Sequence, residues 1–325
     1  MAVDVLPTHE GGFSRFDQFS PLPLAPELRP DDEVFVAVAA RAGRLFAPGL
    51  DHALTAFLED PGPAGALLLR NVPIGGLPPT PATPTAPTDK DLGTELALLA
   101  VARHLGEPVG YRPEHGGSIV QNLVPTRADV GRQTSTSSGV DLAFHTETAF
   151  HPHGPSHLLL LCLRGDPTAA TTVASIHDLL PGLQPATIEA LRRPEFRTAV
   201  DESFGGAPGV PYGPARPVLG GADERPWLCW DAELTTGETP EARAALDELA
   251  AVVTERQREI VLTAGDLLII DNTRCVHGRR PFQARFDGTD RWLQRSFVVA
   301  SLEPSAHERD GRIITTSFAA AATAA

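Results

Sequence analysis

A histidine and a glutamate stand two residues apart, at His145 and Glu147. Side chains of a β-strand alternate between its two faces, so residues two apart point to the same side. If this segment is a strand, both side chains can reach one metal ion. The alternative is an ordinary half-buried strand whose polar residues face water, and the pair alone does not decide between the two interpretations.

A third candidate ligand, His277, lies far along the chain. It follows the apolar strand predicted over Leu267–Asp271 and the turn Asn272–Arg274. Two histidines and one carboxylate form the ligand set of non-haem Fe(II) oxygenases, which leaves coordination positions open for a cosubstrate and oxygen. The alternative is a core histidine bonded to backbone. Of the remaining histidines near strand ends and loops, we expect some to be solvated (His115, His177, His307) and two to be structural (His151, His153).

Two arginines support the metal interpretation. Arg291 and Arg295 are four residues apart in a predicted strand, so they point to the same face. Arginine is the side chain best suited to planar, bidentate binding of a carboxylate. Two such groups near a metal suggest two carboxylates, one from a keto-acid cosubstrate and one from the substrate. The alternative is that one or both arginines are solvated.

The elements around these residues indicate a single α+β, mainly β domain over residues 1–325. A Pro-rich arm over 1–30 precedes a helical stretch, Asp31–Phe57, that Pro48 and Gly49 interrupt. After residue 142 short strands dominate, apart from a helix that Thr239 and Pro240 begin. This order predicts a jelly-roll or barrel core with flanking helices. We expect a frayed tail over 318–325.

Two irregular segments are candidate lids. Residues 126–139 are polar and directly precede the His145 segment, and residues 204–223 are rich in Gly and Pro. Flexible segments beside a candidate site often close over it. Plain surface loops are the alternative.

Composition excludes several classes of protein. No apolar run approaches the roughly 18 residues of a membrane span, and the N-terminus lacks signal-peptide features, so we expect a cytoplasmic protein. Its three cysteines lie far apart, which disfavours disulfides and structural zinc. A net charge of -14 with no basic cluster disfavours binding to nucleic acid or anionic membranes. The oligomeric state stays open.

Three stretches resemble a known family. Ser138–Pro152, Leu161–Arg164 and Asp290–Phe297 look like the Fe(II)/2-oxoglutarate oxygenases of the clavaminate synthase type, which include hydroxylases of free arginine, asparagine and lysine in peptide antibiotic pathways. The resemblance runs from about residue 65 to residue 299. It implies a double-stranded β-helix (jelly-roll) core and hydroxylation of an unactivated C–H bond by Fe(II), 2-oxoglutarate and O2, with release of succinate and CO2.

The resemblance also implies roles for individual residues. The iron ligands would be His145, Glu147 and His277. Arg291 would bind the distal carboxylate of 2-oxoglutarate with the help of a threonine placed at Thr172, with Thr171 the neighbouring choice. A glutamate at position 147, where related halogenases carry a small residue, implies hydroxylation or desaturation.

The substrate would be a small molecule, a free amino acid. By the same resemblance, Arg295 would hold its α-carboxylate and Gln121 its α-amino group, with Ser138 assisting. A carrier-bound aminoacyl group is an alternative substrate, and Arg295 discriminates between the two because such a group lacks the free carboxylate that Arg295 would bind.

By the same resemblance, Asp231 occupies the position at which a residue of these enzymes can contact the substrate side chain. A buried carboxylate needs a charged or hydrogen-bonding partner, such as a guanidinium, an ammonium or an amide. Arginine hydroxylases of the group use two acids there, whereas this chain has Cys229 at the first position and Glu233 on the other side. We expect L-arginine, hydroxylated at C3 or C4, with lysine, citrulline or asparagine as alternatives. An Asp231 bonded only to backbone, a desaturase and a non-catalytic binder stay open, whereas the missing HExxH motif disfavours a zinc hydrolase.

Overall fold

The computed structural model describes residues 6–13, 28–206 and 211–318. Its helices are α1 (Glu33–Gly43), α2 (Pro48–Glu59), α3 (Gly93–Leu105), α4 (Ile176–Leu179), α5 (Pro185–Leu191) and α6 (Pro240–Arg256). Its strands are β1 (Thr8–Glu10), β2 (Ala66–Arg70), β3 (Glu107–Tyr111), β4 (Gln121–Leu123), β5 (Leu142–His145), β6 (His157–Arg164), β7 (Thr171–Ser175), β8 (Phe196–Ala199), β9 (Pro211–Arg216), β10 (Leu219–Ala222), β11 (Arg225–Leu228), β12 (Thr235–Gly237), β13 (Arg258–Ile260), β14 (Leu267–Asp271), β15 (Cys275–Arg279), β16 (Trp292–Val299), β17 (Arg309–Asp310) and β18 (Ile313–Ile314).

Two mainly antiparallel sheets face each other. The larger has the order β1-β2-β14-β6-β16-β3-β18-β17, with β4 also paired to β16. The smaller has the order β13-β7-β15-β5. Apolar side chains from both sheets form one core cluster between them, including Leu160 and Ile270 of the larger sheet and Val173 and Cys275 of the smaller. Helices cover both outer faces, α1–α3 on the larger sheet and α4–α6 on the smaller. This arrangement is consistent with the predicted jelly-roll core with flanking helices.

Strand β6 shows why the central strands are continuously apolar. Its neighbours Leu159 and Leu161 face the helices, while Leu158 and Leu160 face the smaller sheet. A strand with both faces covered must be apolar at successive positions. Antiparallel pairing with β14 and β16 completes its hydrogen bonding.

Strand β16 alternates between the two layers. Trp292 and Val298 pack against the helices, whereas Leu293 and Phe297 pack between the sheets. The predicted strand therefore places Arg295, and Arg291 just before the strand, on the inner face. The prediction that both arginines share one face is confirmed.

The helices agree with the predictions from the sequence, except that one predicted helical stretch is divided into two helices. The stretch predicted over Asp31–Phe57 forms two helices, because Pro48 occupies the first turn of α2 rather than continuing α1. Helix α6 begins at Pro240 as predicted, with Thr239 as its N-cap.

We expect Thr239→Ala to lower the free energy of unfolding by about 1 kcal/mol. The Thr239 hydroxyl accepts a hydrogen bond from the Ala242 backbone N–H at 3.1 Å and donates one to Glu195 Oε2 at 2.7 Å. Thr239→Ser keeps the hydroxyl and is the matched control. The urea midpoint measures the change, and equal midpoints for the two variants would rule out this capping role.

Three expectations about irregular segments need correction. Within the arm, Thr8–Glu10 pairs in parallel with β2 and joins the larger sheet. The second candidate lid contains the whole of β9 and β10, so only part of it is irregular. Phe318, placed in the frayed tail, is buried against Phe150 and Phe204, whereas 319–325 lie outside the described residues. Residues 126–139 carry no helix or strand, as expected. No helix among the described residues is long and apolar enough to cross a membrane.

Candidate active site

The three predicted metal ligands come together at the inner face of the smaller sheet. His145 on β5 lies directly opposite His277 on β15, and their ring centroids are 4.3 Å apart. The Glu147 Oε2 atom lies 3.2 Å from Nε2 of His277 and 3.9 Å from Nε2 of His145. One ligand atom from each residue falls within 4.8 Å of the others. The distant histidine is therefore brought to the pair, as the sequence predicts.

Glu147 reaches this cluster from a turn rather than from the strand. Strand β5 ends at His145, so the expectation of a shared strand is wrong for Glu147. The buried Asn272 holds the turn instead. Its Oδ1 accepts the Glu147 backbone N–H at 2.8 Å, and its Nδ2 donates to the carbonyls of Glu147 at 3.3 Å and Pro155 at 2.9 Å. Sequence reasoning treated Asn272 only as a turn residue and missed this role.

The protonation states suit a metal ion. The Nδ1 atom of His145 donates to the Ala143 carbonyl at 2.8 Å, which leaves Nε2 free as a ligand. Burial and the neighbouring His145 lower the pKa of His277 to about 4, so its ring is neutral at neutral pH. Burial opposes ionisation of Glu147, but Arg295 and the two histidines outweigh it and hold its pKa well below the ordinary value. Glu147 Oε2 is buried and receives no hydrogen bond from the described residues. The neutral His277 ring, the free Nε2 of His145 and an ionised carboxylate fit a divalent cation.

Arg295 sits among three acceptors beside the cluster. It donates to Gln121 Oε1 from Nε at 2.9 Å and from Nη2 at 2.6 Å, and to Glu147 Oε1 from Nη1 at 3.2 Å. It also forms an ion pair with Glu114. Glu114 is a functional candidate that sequence reasoning missed. Burial raises its pKa despite the neighbouring Arg295 charge, and its buried Oε2 has no hydrogen-bond partner in the part of the chain that the structure describes.

Arg291 contacts Thr171, not Thr172. Its Nη2 donates to Thr171 Oγ1 at 3.3 Å. Thr171 lies opposite Arg279, on the same face as Val173 and the inner core, whereas Thr172 lies opposite Gly278 on the other face of β7. The placement at Thr172 is therefore wrong, and the neighbouring choice is the one beside Arg291.

Asp231 lies beside the metal cluster. It forms an isolated β-bridge with His145, and its Oδ1 accepts the backbone N–H groups of Glu233 and Leu234, each at 2.8 Å. Burial raises the pKa of Asp231 above its ordinary value. The Cys229 thiol donates to the Ala149 carbonyl at 3.4 Å and lines a different cavity from Asp231. Glu233 is exposed at the rim.

Two further predicted contacts do not line the main cavity. Gln121 uses its amide oxygen on Arg295 and its Nε2 on the Ser118 carbonyl. Ser138 is buried, and its carbonyl accepts the Phe282 backbone N–H at 2.8 Å. His115, expected to be solvated, lines the cavity instead, and burial lowers its pKa to about 4.

The main cavity has a volume of about 800 Å³ and contains the metal cluster, both arginines and Asp231. Two segments outside the α-helices and strands form part of its wall, namely residues of the 126–139 loop and the short 3-10 helix Glu202–Phe204 with its N-cap Asp201. Phe204 packs against His151, which the sequence had assigned a structural role. A metal site open to a roomy, partly polar cavity can hold two small carboxylate ligands at once.

Comparisons with known proteins identify the family. The model of the family "Taurine catabolism dioxygenase TauD, TfdA family" matches residues 64–297. The chain belongs to this dioxygenase family. It is 41% identical to an L-asparagine oxygenase of Streptomyces coelicolor, over 88% of this chain and 87% of that protein.

Solved structures of dioxygenases agree with this assignment. A crystal structure of asparagine oxygenase in complex with Fe(II), 2S,3S-3-hydroxyasparagine and succinate superposes with a TM-score of 0.87 at 37% identity, covering 95% of this chain and 98% of that one. The non-heme iron oxygenase OrfP in complex with Fe and alpha-ketoglutaric acid gives a TM-score of 0.85 at 30% identity, covering 95% of this chain and 100% of that one. This TauD/TfdA dioxygenase uses Fe(II), 2-oxoglutarate and O2, and its His-Glu-His cluster fits the iron.

Proposed function

We propose that this dioxygenase hydroxylates a free amino acid at C3, and that L-asparagine is the first candidate substrate. The observation that carries the choice is the single carboxylate at Asp231. Its Oδ1 is occupied by two backbone N–H groups. One carboxylate oxygen is left for the substrate, which suits one N–H of a side-chain amide better than the two-pronged guanidinium of arginine.

The position of Asp231 also favours a short side chain. As the bridge partner of His145, its backbone lies within about 5 Å of a metal ligand's backbone. A substrate that binds Arg295 at one end and Asp231 at the other must therefore be short, with its reacting carbon close to the metal. Asparagine meets that requirement, because its C3 lies between its two polar ends. The similar asparagine oxygenase was crystallised in complex with 3-hydroxyasparagine.

Arginine, the substrate expected from the sequence, is the second candidate. The exposed Glu233 and the carboxylates of Asp201 and Glu202 line the same cavity. A longer cationic side chain that extends beyond Asp231 would meet these acids at the rim. A screen that includes arginine, ornithine, citrulline and lysine separates the two candidates.

The chain's own residues would bind the zwitterionic end of either substrate. Arg295 and Glu114 face each other as an ion pair in the cavity wall. A substrate α-carboxylate would take Arg295 as its partner, and the α-ammonium would take Glu114, whose Oε2 lacks a donor. Glu114 replaces Gln121 in this role, because the Gln121 oxygen is already used by Arg295.

The cosubstrate would lie between the metal and Arg291. Arg291, with Thr171 beside it, would bind the distal carboxylate of 2-oxoglutarate. When bound, Fe(II) with 2-oxoglutarate and O2 supplies the oxidation that replaces a C–H bond by C–OH. Asn272 and the Ala143 carbonyl orient the ligands, and Asp231 would orient the substrate so that C3 faces the metal.

The function is tested by succinate release from the Fe(II)-loaded enzyme with 2-oxoglutarate and O2. Each standard amino acid, ornithine and citrulline is supplied in turn, and the product is examined by mass spectrometry. Asparagine is expected to stimulate succinate release most and to gain one oxygen atom. Stimulation by arginine alone would transfer the proposal to the second candidate, and no stimulation by any free amino acid would refute both.

We expect Asp231→Ala to raise KM for the amino acid about 10- to 100-fold, the effect of losing a hydrogen bond to a charged group. The affinity for 2-oxoglutarate is expected to stay unchanged, because Arg291 and Thr171 are intact. Glu233→Gln is the matched control, and it leaves KM for asparagine unchanged. Equal losses for asparagine and 2-oxoglutarate in Asp231→Ala would remove Asp231 from substrate recognition.

A further inference from the structure

Two buried arginines line the cavity, and neither has an acidic partner among the described residues. Arg279 and Arg291 are 5% and 7% exposed. Arg279 donates to Ser137 and to the Val140 carbonyl, and Arg291 donates to Thr171, so both contact only neutral acceptors. In the part of the chain that the structure describes, no carboxylate oxygen lies within ion-pair distance of either guanidinium. Buried charges are normally paired, so this end of the cavity lacks an anion.

The two arginines form one cluster with Thr171. Arg279 lies directly opposite Thr171 across β15 and β7, on the inner face, and Thr171 Oγ1 accepts from Arg291. Residues directly opposite have Cβ atoms about 5 Å apart. Both guanidiniums also lie over the ring of Phe282, at 5.2 and 6.0 Å from its centroid. The Nε of Arg279 is buried and has no hydrogen-bond partner in the described residues.

We propose that Arg279 is a second cation of the site for the distal carboxylate of 2-oxoglutarate. The inference rests on the proposed role of Arg291 and extends it. One carboxylate shared by two arginines would supply the missing negative charge. Because the Arg279 guanidinium keeps its three hydrogen bonds to Ser137 and Val140, it would act on the carboxylate mainly through its positive charge.

Arg279 also connects this carboxylate to the candidate lid. Its Nη2 donates to Ser137 Oγ at 2.7 Å and to the Val140 carbonyl at 3.3 Å, at the end of the 126–139 loop. Other residues of that loop, including Arg132 and Thr136, line the cavity. Binding of the distal carboxylate would therefore fix the guanidinium that holds the loop against β15.

The test measures binding without turnover. Fe(II)-loaded wild type and Arg279→Gln are titrated anaerobically with 2-oxoglutarate and with 2-oxopentanoate, the same five-carbon keto acid without the distal carboxylate, and the visible charge-transfer band of the chelate is followed. Arg279→Gln is expected to weaken 2-oxoglutarate binding about 10- to 100-fold and to leave 2-oxopentanoate binding unchanged. Arg279→Lys keeps the charge and is expected to recover part of the loss.

Two controls separate this role from a structural one. Arg280→Gln changes the neighbouring exposed arginine, which pairs with Glu259 and Asp141, and is expected to bind both keto acids as wild type does. Trypsin can cut the loop after Arg127 and Arg132, and 2-oxoglutarate is expected to slow that cutting in wild type but not in Arg279→Gln. Equal weakening of both keto acids, or unchanged 2-oxoglutarate binding, would overturn the proposal. Failure of wild type to bind 2-oxoglutarate at all would instead refute the proposed function.

Discussion

His277→Ala is expected to abolish substrate-dependent succinate formation and to lower metal affinity more than about 100-fold. Mutating the outer partners of metal ligands already costs about 10- to 100-fold, and this variant removes a ligand itself. Glu147 Oε2 lies 3.2 Å from Nε2 of the imidazole that is lost, so only His145 and Glu147 of the three ligands would remain to hold the ion. His277 is buried and its ring is neutral at neutral pH, which makes it a strong ligand rather than a competing cation.

The loss is measured as the Kd for Fe(II) or Mn(II) by anaerobic titration, together with succinate release. His307→Ala is the matched control, since His307 is exposed and does not line the cavity. Circular dichroism of both variants checks that the fold persists. Metal affinity near that of wild type in a folded His277→Ala would exclude this residue from the metal site.

Arg295→Met is expected to destabilise the metal-free protein by about 3 to 5 kcal/mol, the usual effect of removing one partner from a buried ion pair. Arg295 is the cation that contacts both Glu114 and Glu147. Its removal leaves two carboxylates in a low-dielectric environment without compensation. A bound metal ion would balance the negative charge of Glu147 but not that of Glu114. The destabilisation is therefore expected to be smaller in the metal-loaded protein.

A double-mutant cycle tests this account of Arg295. Adding Glu114→Gln to Arg295→Met neutralises one stranded carboxylate and is expected to recover part of the lost stability. Arg112→Met is the control, because Arg112 pairs with Asp310 at the surface and such pairs contribute about 0 to 1 kcal/mol. A loss in Arg295→Met no larger than in Arg112→Met, or no recovery in the double variant, would contradict the pairing.

The sequence predicts those features that depend on local periodicity. The two-residue spacing of strands places Arg295 of β16 and Arg291, just before that strand, on one face, and the Thr–Pro signal places the start of α6. The ligands His145, Glu147 and His277 can be predicted because the His-x-Glu pair and the distant histidine occur together with a predicted strand that carries two arginines on one face.

Features that depend on long-range contacts are not predictable in this way. All five residues of β7 are buried, so burial does not tell Thr171 from Thr172, and only the pairing with β15 assigns their faces. Glu114 meets Arg295 across 181 residues of sequence, and Asn272 meets Glu147 across 125. Phe318 follows polar residues and precedes a small-residue tail, yet an aromatic cluster from distant elements buries it.

The most direct test of the central claim is an oxygen-label experiment with the purified enzyme, Fe(II), 2-oxoglutarate and L-asparagine under heavy-isotope dioxygen. One labelled oxygen atom is expected in succinate and one in 3-hydroxyasparagine, with equal amounts of the two products and neither product formed by His277→Ala. Succinate and hydroxylated amino acid without label, or labelled succinate with no hydroxylated amino acid from any candidate substrate, would contradict amino acid hydroxylation at this site.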